Sequence, residues 1–359
     1  MEIRNGGFGS AAAADPFNAN RFYALTDRGP NATYTGTAGK GKMFPTPDYT
    51  PRIGHFEIKE DGSVSLIKEI LLKDIENNNI TGLPNPIAVG GTGEIPYDKD
   101  GKIIVDENNQ TKTDIFGLDG EGLAVLKDGT FWVSDEYGPH MVHFDATGKE
   151  VGRINSFIDD NRTTINLPAE FKYRRANRGM EGLTITHDQK TLVGIMQSTM
   201  ALPDSSVQKA DITRIVTVNL DTNVTSQYLY KQEKAENSNS EIVALSNDSF
   251  LVIERDGSFY KDGTTGQKHV YKINLSTGTN LETIVDNGDL VQNADLGLTI
   301  EGKTLEEAVL DKGNWDTLSK NHIYPVAKTL VKDMIKENQY PHDKMEGLIV
   351  FSENKLGVL

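Results

Sequence analysis

The strongest constraint on this chain is a repeat, because an apolar stretch opening on Glu-Gly-Leu or a close variant recurs four times, each time running into a polar turn. The copies begin at Glu121 (EGLAVLKDGTFWVSDE), Glu181 (EGLTITHDQKTLVGIMQS), Glu241 (EIVALSNDSFLVIERD) and Glu346 (EGLIVFSENKLGVL), the first three glutamates standing sixty residues apart. A divergent earlier copy runs from Gly7 to Gly29, GFGSAAAADPFNANRFYALTDRG. Strand, turn of the KDGT or SNDS kind, and second strand make a hairpin signature. Further strand-like stretches follow each hairpin: RIGHFEI and SVSLIKEILL, then HMVHFDATGKEVGRI, then TRIVTVNLDTNVTSQYLY, then KHVYKINLSTGTNLETIVD. Four antiparallel strands per period of about 40 to 60 residues predict an all-β propeller of five or six blades, with the fifth blade incomplete. Residues 1–359 read as one domain. An Asn-, Gly- and Pro-rich excursion at about 74–114 is expected over one mouth of the channel, and a charged helical insertion at about 305–338 lengthens the gap before the last repeat.

In a propeller the first strand of each blade lines the axis, so equivalent residues at its entrance converge. A single Glu-Gly is explained by a turn or bulge with an exposed glutamate. Four copies, each with Glu rather than Asp, Asn, Ser or Lys, point to a shared role for Glu121, Glu181, Glu241 and Glu346. The second strands also end in polar groups: Asp27 and Arg28, Asp135 and Glu136, Gln197 and Ser198, then Glu254, Arg255 and Asp256. Clustered carboxylates repel unless a positive charge sits among them, and an irregular set of oxygen ligands suits Ca2+ better than Mg2+. The expected ligands are Glu121, Glu181, Glu241, Glu346 and Glu254. Arg28 and Arg255 either hold an anionic substrate together with Asp27 or pair with neighbouring acids, and Asp135 or Glu136 is placed to activate water. His140, close after DEYGP, is a candidate acid/base or substrate contact. Strand alternation puts it on the face opposite His143, which disfavours a joint metal site.

Composition excludes several classes. A net charge of −15 without a Lys/Arg stripe argues against nucleic acid; it fits a cation partner or simple solubility. There are no cysteines, hence no thiolate metal site and no cysteine nucleophile. No apolar stretch reaches the roughly 18 residues of a membrane span, and MEIRNGGFGS has no signal-peptide core, so an exported form would have lost its signal. There is no GxSxG, and GGTGEIP (Gly90 to Pro96) lacks the Gly-Lys-Ser/Thr ending of a phosphate loop. A monomer acting on a small anionic or ester substrate is expected.

The DRGPN stretch, the repeated EGL strands, DEYGP and the Glu254-Arg255 pair resemble the phytase-like family described as having esterase-like activity, from about Gly7 to the C-terminus. The resemblance implies an active site of Asp27, Arg28, Glu121, Asp135, Glu136, Glu181, Glu254, Arg255 and Glu346, and a secreted or periplasmic protein. The architecture is also similar to calcium-dependent gluconolactonase and paraoxonase propellers, although fold does not fix chemistry. One departure is that the chain stops at Gly357-Val358-Leu359, where an Asn/Asp-rich continuation is expected. The leading expectation is a metal-dependent phosphate-ester hydrolase. The alternatives are a calcium-dependent lactonase or carboxylic esterase, and a non-catalytic binding propeller.

Overall fold

The computed structural model describes residues 7–261, 266–312 and 315–359. The chain is nearly all β. Its first sheet runs Ala11–Ala14, Arg21–Leu25, Arg52–Ile58 and Val64–Leu71, each strand antiparallel to the last. The second runs Gly120–Val125, Phe131–Asp135, His140–Phe144 and Glu150–Asn155, with Thr163–Asn166 added in parallel at the edge. The third is Met180–Ile185, Thr191–Met196, Ile212–Asn219 and Thr225–Lys231. The fourth is Ser238–Ala244, Ser249–Arg255, Lys268–Asn274 and Ala327–Asp333. A fifth sheet has the two strands Leu348–Ser352 and Lys355–Val358.

The first strand of each sheet neighbours the first strand of the next, and the fifth neighbours the first, so the inner strands follow one another in cyclic order. This arrangement is propeller-like. Inner strands are buried on both faces, as in Met180–Ile185, whereas the outer Val64–Leu71 is largely exposed. Successive sheets pack face to face through apolar side chains. Leu25, Leu123 and Val133 lie between the first and second, Met141, Leu183 and Leu192 between the second and third, and Ile195, Ile242 and Val252 between the third and fourth. Ile253 with Leu348, and Phe22 with Ile349, complete the circuit.

The repeated glycine has a steric origin. A Cβ on Gly122 would lie 2.5 Å from the Leu183 backbone nitrogen, and one on Gly182 would lie 2.6 Å from that of Ile242. Glycine lets neighbouring inner strands touch backbone to backbone. The tight turn after the second sheet's inner strand uses glycine differently, with Gly129 at φ +88° and the Asp128 carboxylate accepting the Thr130 N–H at 2.9 Å.

Two expectations change. The stretch Leu275 to Asp286 is not a strand but carries the short 3-10 turns Leu275–Thr277 and Leu281–Thr283. The outer strand of the fourth sheet is instead Ala327–Asp333, inside the segment expected to be helical. Helices do occur there, at Leu305–Lys312, Asp316–Lys320 and Met334–Asn338. The physical reason is a satellite core: Leu281, Leu298, Leu305, Val309, Trp315 and Leu318 pack against Ile212 and Leu229 of the third sheet, so this insertion is held outside the fourth sheet until Ala327. Among the described residues no helix is long and apolar enough to cross a membrane.

Candidate functional site

A β-bulge sets the site. Gly120 pairs with Asp135 and Gly122 with Ser134, which leaves Glu121 unpaired between them; Met180 with Met196 and Gly182 with Ile195 leave Glu181 in the same position. An extra residue of this kind kinks the strand and re-aims its side chain. In the fourth sheet the pairs are Asn239 with Glu254 and Glu241 with Ile253, so the residue at the bulge is Ser240. Glu241 therefore occupies the place of Gly122 and Gly182, one position from where the sixty-residue spacing puts it.

The bulged glutamates join a largely buried acidic group at the start of the inner strands. One oxygen each of Asp27, Asp119 and Glu121 lie within 4.8 Å of one another. The Gln197 amide Nε2 donates to Glu136 Oε1 and to Glu181 Oε2, both at 2.9 Å. Glu346 accepts from Arg255 at 2.9 Å and lies 3.0 Å from Lys344 Nζ, while Arg255 Nε also donates to Ser240 Oγ at 2.9 Å. Arg28 stands 3.1 Å from Asp119 and 3.2 Å from Glu94, and it donates to the Tyr137 hydroxyl at 3.0 Å. Asn177 closes this corner by donating to Glu94 at 3.1 Å.

Burial and mutual repulsion dominate the electrostatics. Desolvation, then the charges of Glu181, Asp119, Glu136 and Glu346, push Glu121 well above the ordinary glutamate range. Desolvation, then Glu136 and Glu346, do the same to Glu181. Desolvation also raises Asp119 in spite of Arg28, and Glu136 in spite of Arg28 and Lys344. Burial alone would lower Lys344, but Glu346, Glu121 and Glu181 outweigh it and hold the ammonium charged. Asp119 is 1 % exposed, and among the described residues neither of its oxygens accepts a hydrogen bond. Such a group is relieved either by protons or by a cation.

Four expected site residues lie apart from this group. Asp135 faces backbone, accepting the Asp119 and Gly138 N–H groups at 2.9 Å each; burial raises it to about 6. It fixes the loop that carries Asp119 and Glu136. His140 is wholly buried, with Nε2 3.0 Å from the Val89 carbonyl oxygen; desolvation, followed by Arg153, Arg162 and Arg174, keeps it neutral. Glu254 is saturated by Tyr230, Lys328, Asn237 and the Glu233 N–H at 2.6 to 2.8 Å, which makes it an internal tie between strands. Glu241 points among the inner strands, accepting the Ile242 N–H at 2.9 Å, and its Oε2 is buried without a hydrogen-bond partner among the described residues. Desolvation raises it well above its ordinary value against the backbone N–H groups of Ile242, Ala12 and Leu183. Asp27, Arg28, Glu121, Glu136, Glu181, Arg255 and Glu346 do come together.

The family described as "Esterase-like activity of phytase" matches residues 3–357. The chain belongs to the phytase-like family. A curated relative of this phytase-like chain is an uncharacterized secreted protein of Arthroderma benhamiae, 33% identical over 102 residues, which are 23% of this chain and 20% of that protein. The chain thus spans about a fifth of that relative's length. Similar solved structures include PorZ, a surface component of the type-IX secretion system of Porphyromonas gingivalis, with TM-score 0.39 and 13% identity over 100% of this chain and 40% of that one. A Lactobacillus plantarum protein gives TM-score 0.30 at 10% identity over 83% and 85%, and a streptogramin B lyase 0.28 at 11% over 76% and 86%.

Asp119, Glu94, Asn177, Tyr137 and Lys344 escape the sequence reading. Asp119 and Lys344 stand two residues before Glu121 and Glu346, a repeat position otherwise held by Gly179 and Asn239, so a frame two residues wider would have caught both. Glu94 had no local signal. It arrives because Ile95–Tyr97 pairs in parallel with Gly39–Met43, which folds the long excursion over the site. A mostly apolar cavity of about 740 Å³ opens around the later halves of the same inner strands, lined by Ala13, Leu123, Ile185, Val243 and Val350. It lies at the other end of the axis from the acids.

Proposed function

We propose that this protein is a metal-dependent hydrolase of phosphate esters, built as a single five-bladed propeller whose fifth blade is represented by two strands. The observation that carries the reading is the trio of Asp27, Asp119 and Glu121, with Asp119 buried, ion-paired to Arg28 at 3.1 Å, and neither of its oxygens accepting a hydrogen bond among the described residues. The donors are all carboxylate oxygens, which fits a hard cation and, given their irregular sources, calcium. Asp27, Asp119 and Glu121 would hold it, and when bound it supplies Lewis-acid polarisation of a phosphoryl oxygen. Arg28 and Arg255 orient the anionic group from two sides, each kept in place by a carboxylate, Asp119 for one and Glu346 for the other. Glu136 is the water-activating base, because burial lifts its proton affinity and Gln197 fixes its orientation; Asp135 has both oxygens committed to backbone N–H groups. Export is the location we propose, supported by the description of the Arthroderma benhamiae relative as secreted.

The test is a panel of chromogenic phosphate and carboxylic esters, assayed before and after chelation and with calcium restored. Calcium-dependent turnover of phosphate esters, reduced at least about a hundredfold in Asp119→Asn, is the expected result. Unchanged turnover after chelation, or faster cleavage of carboxylic esters, overturns it.

A further inference from the structure

The inner strands carry the acids at one end and the apolar cavity of about 740 Å³ at the other, and the backbone separates the two places. Next to the acids the strands touch at Gly122 and Gly182. Glu241 then lies across the axis, its carboxylate facing the N–H groups of Ile242, Leu183 and Ala12, which belong to three different sheets. Beyond it the space widens. The first inner strand, Ala11–Ala14, shows why, since Ala11 and Ala12 are buried while Ala13 and Ala14 are half-buried at the cavity wall. Alanine is depleted in strands because it packs so little against its neighbours, and four in a row leave room that larger side chains would fill.

Wall and rim differ in chemistry. Leu123, Val125, Ile185, Val243, Val350 and Phe351, from the other four sheets, make the wall apolar, and the hydroxyl of Thr184 is committed to the Ala244 N–H at 3.2 Å. The rim is polar. Lys127 and His187 stand in the hairpin turns of the second and third sheets, which are tied together by the Lys127 N–H donating to Gln189 Oε1 at 2.9 Å. Glu353, the one carboxylate lining the cavity among the described residues, belongs to the fifth sheet, whose inner strand neighbours those of the first and fourth sheets rather than these two. One arc of the mouth is therefore basic above an apolar chamber.

We propose that this end of the axis binds a free carboxylic acid with an unbranched alkyl tail, the tail in the chamber and the carboxylate at Lys127 and His187. The volume falls within the range of about 300–1,000 Å³ usual for small-ligand sites. The tail is drawn in because all five sheets present hydrocarbon to it, and the head is fixed because on that arc it meets an ammonium and a ring N–H rather than Glu353. The site shares strands with the acids but none of their side chains, and it stands independently of the hydrolytic reading.

Titration calorimetry with hexanoate, octanoate and decanoate in EDTA tests the proposal. Affinity should rise about tenfold for every two methylenes, as burial of a growing tail requires. Decylamine should bind at least about tenfold more weakly than decanoate, and Lys127→Glu should reverse that order. Ala13→Phe and Val243→Phe fill the chamber from different sheets, and whichever keeps the wild-type melting temperature should weaken decanoate at least about tenfold. A flat chain-length series, decanoate binding weaker than about 1 mM, equal binding of decylamine by wild type, or full decanoate affinity in both filled variants overturns it. So does dimerisation in sedimentation that a filled variant abolishes, since a second copy of the chain would then be the occupant.

Discussion

Glu181 and Glu241 share a motif and a sixty-residue register, yet they live in different environments. Glu181 is the extra residue of a bulge and is aimed at Glu136, with Gln197 between them. Glu241 sits one step further on, paired with Ile253, and its carboxylate lies among the inner-strand backbones, one oxygen accepting no hydrogen bond among the described residues. Identical spacing in sequence did not produce identical placement. In a strand, one residue of register reverses the direction of the side chain, and a bulge supplies or withholds that residue. Glu254 sharpens the contrast: it was expected beside the metal, but its side chain is enclosed by Tyr230, Lys328 and Asn237.

The largest effect that tests this contrast is on turnover. Glu181→Gln should reduce kcat/KM on a phosphate ester about a thousandfold, near 4 kcal/mol in transition-state terms, while the protein still folds. Retained activity would mean that the bulged glutamates are not a site. Next comes Glu254→Ala, which should cost about 3 kcal/mol in urea denaturation by leaving the buried Asn237 amide and Tyr230 hydroxyl without their acceptor and Lys328 with Glu233 alone, with little change in the turnover of folded protein. A stable but inactive Glu254→Ala would return this residue to the active site. Gly182→Ala should cost about 1–3 kcal/mol, because the new methyl meets the Ile242 nitrogen and forces two inner strands apart; an unchanged melting temperature would refute the close-approach account.

A smaller effect is expected with pH. Glu121 and Glu181 are raised in the folded chain by burial and by their neighbours, so the folded form holds their protons more tightly than the unfolded one. The stability this contributes is complete below the ordinary glutamate value of 4.5 and is lost as pH climbs through the raised values. In EDTA, melting temperature from about pH 4.5 to about pH 8 should therefore fall more steeply for wild type than for the Glu121→Gln, Glu181→Gln double variant, and calcium should flatten the wild-type slope. Parallel slopes would sink the claim. The smallest change is Glu241→Gln, expected within about threefold in turnover and about 0.5 kcal/mol in stability, since the amide is uncharged and fits the same space. A thousandfold loss there would put Glu241 back with the other glutamates.

Much of this was legible from the chain. The hairpins opening at Glu121, Glu181 and Glu241 stand where the repeat puts them, because an apolar run broken by a short polar turn is a local signal. The outer strand Ala327–Asp333 was hidden, because a charged, partly exposed edge strand alternates weakly and follows a segment that folds on its own satellite core. Seven of the expected site residues meet, and four do not. Asp135 and Glu254 lie on second strands and His140 opens a third, where neighbouring positions face the backbone, the interior or the axis according to register alone, and Glu241 is displaced by the one-residue shift of its bulge.

The sequence by itself determined the strand repeat, the excess of carboxylates, the glycines where strands touch and the family, since each depends on residue type and short-range order. Tertiary structure alone decided which acids meet: the bulge that favours Ser240 over Glu241, and the excursion that brings Glu94 to Arg28. Those outcomes depend on which strand edges and loops neighbour one another, and pairings between residues far apart in the chain leave no mark at either residue alone.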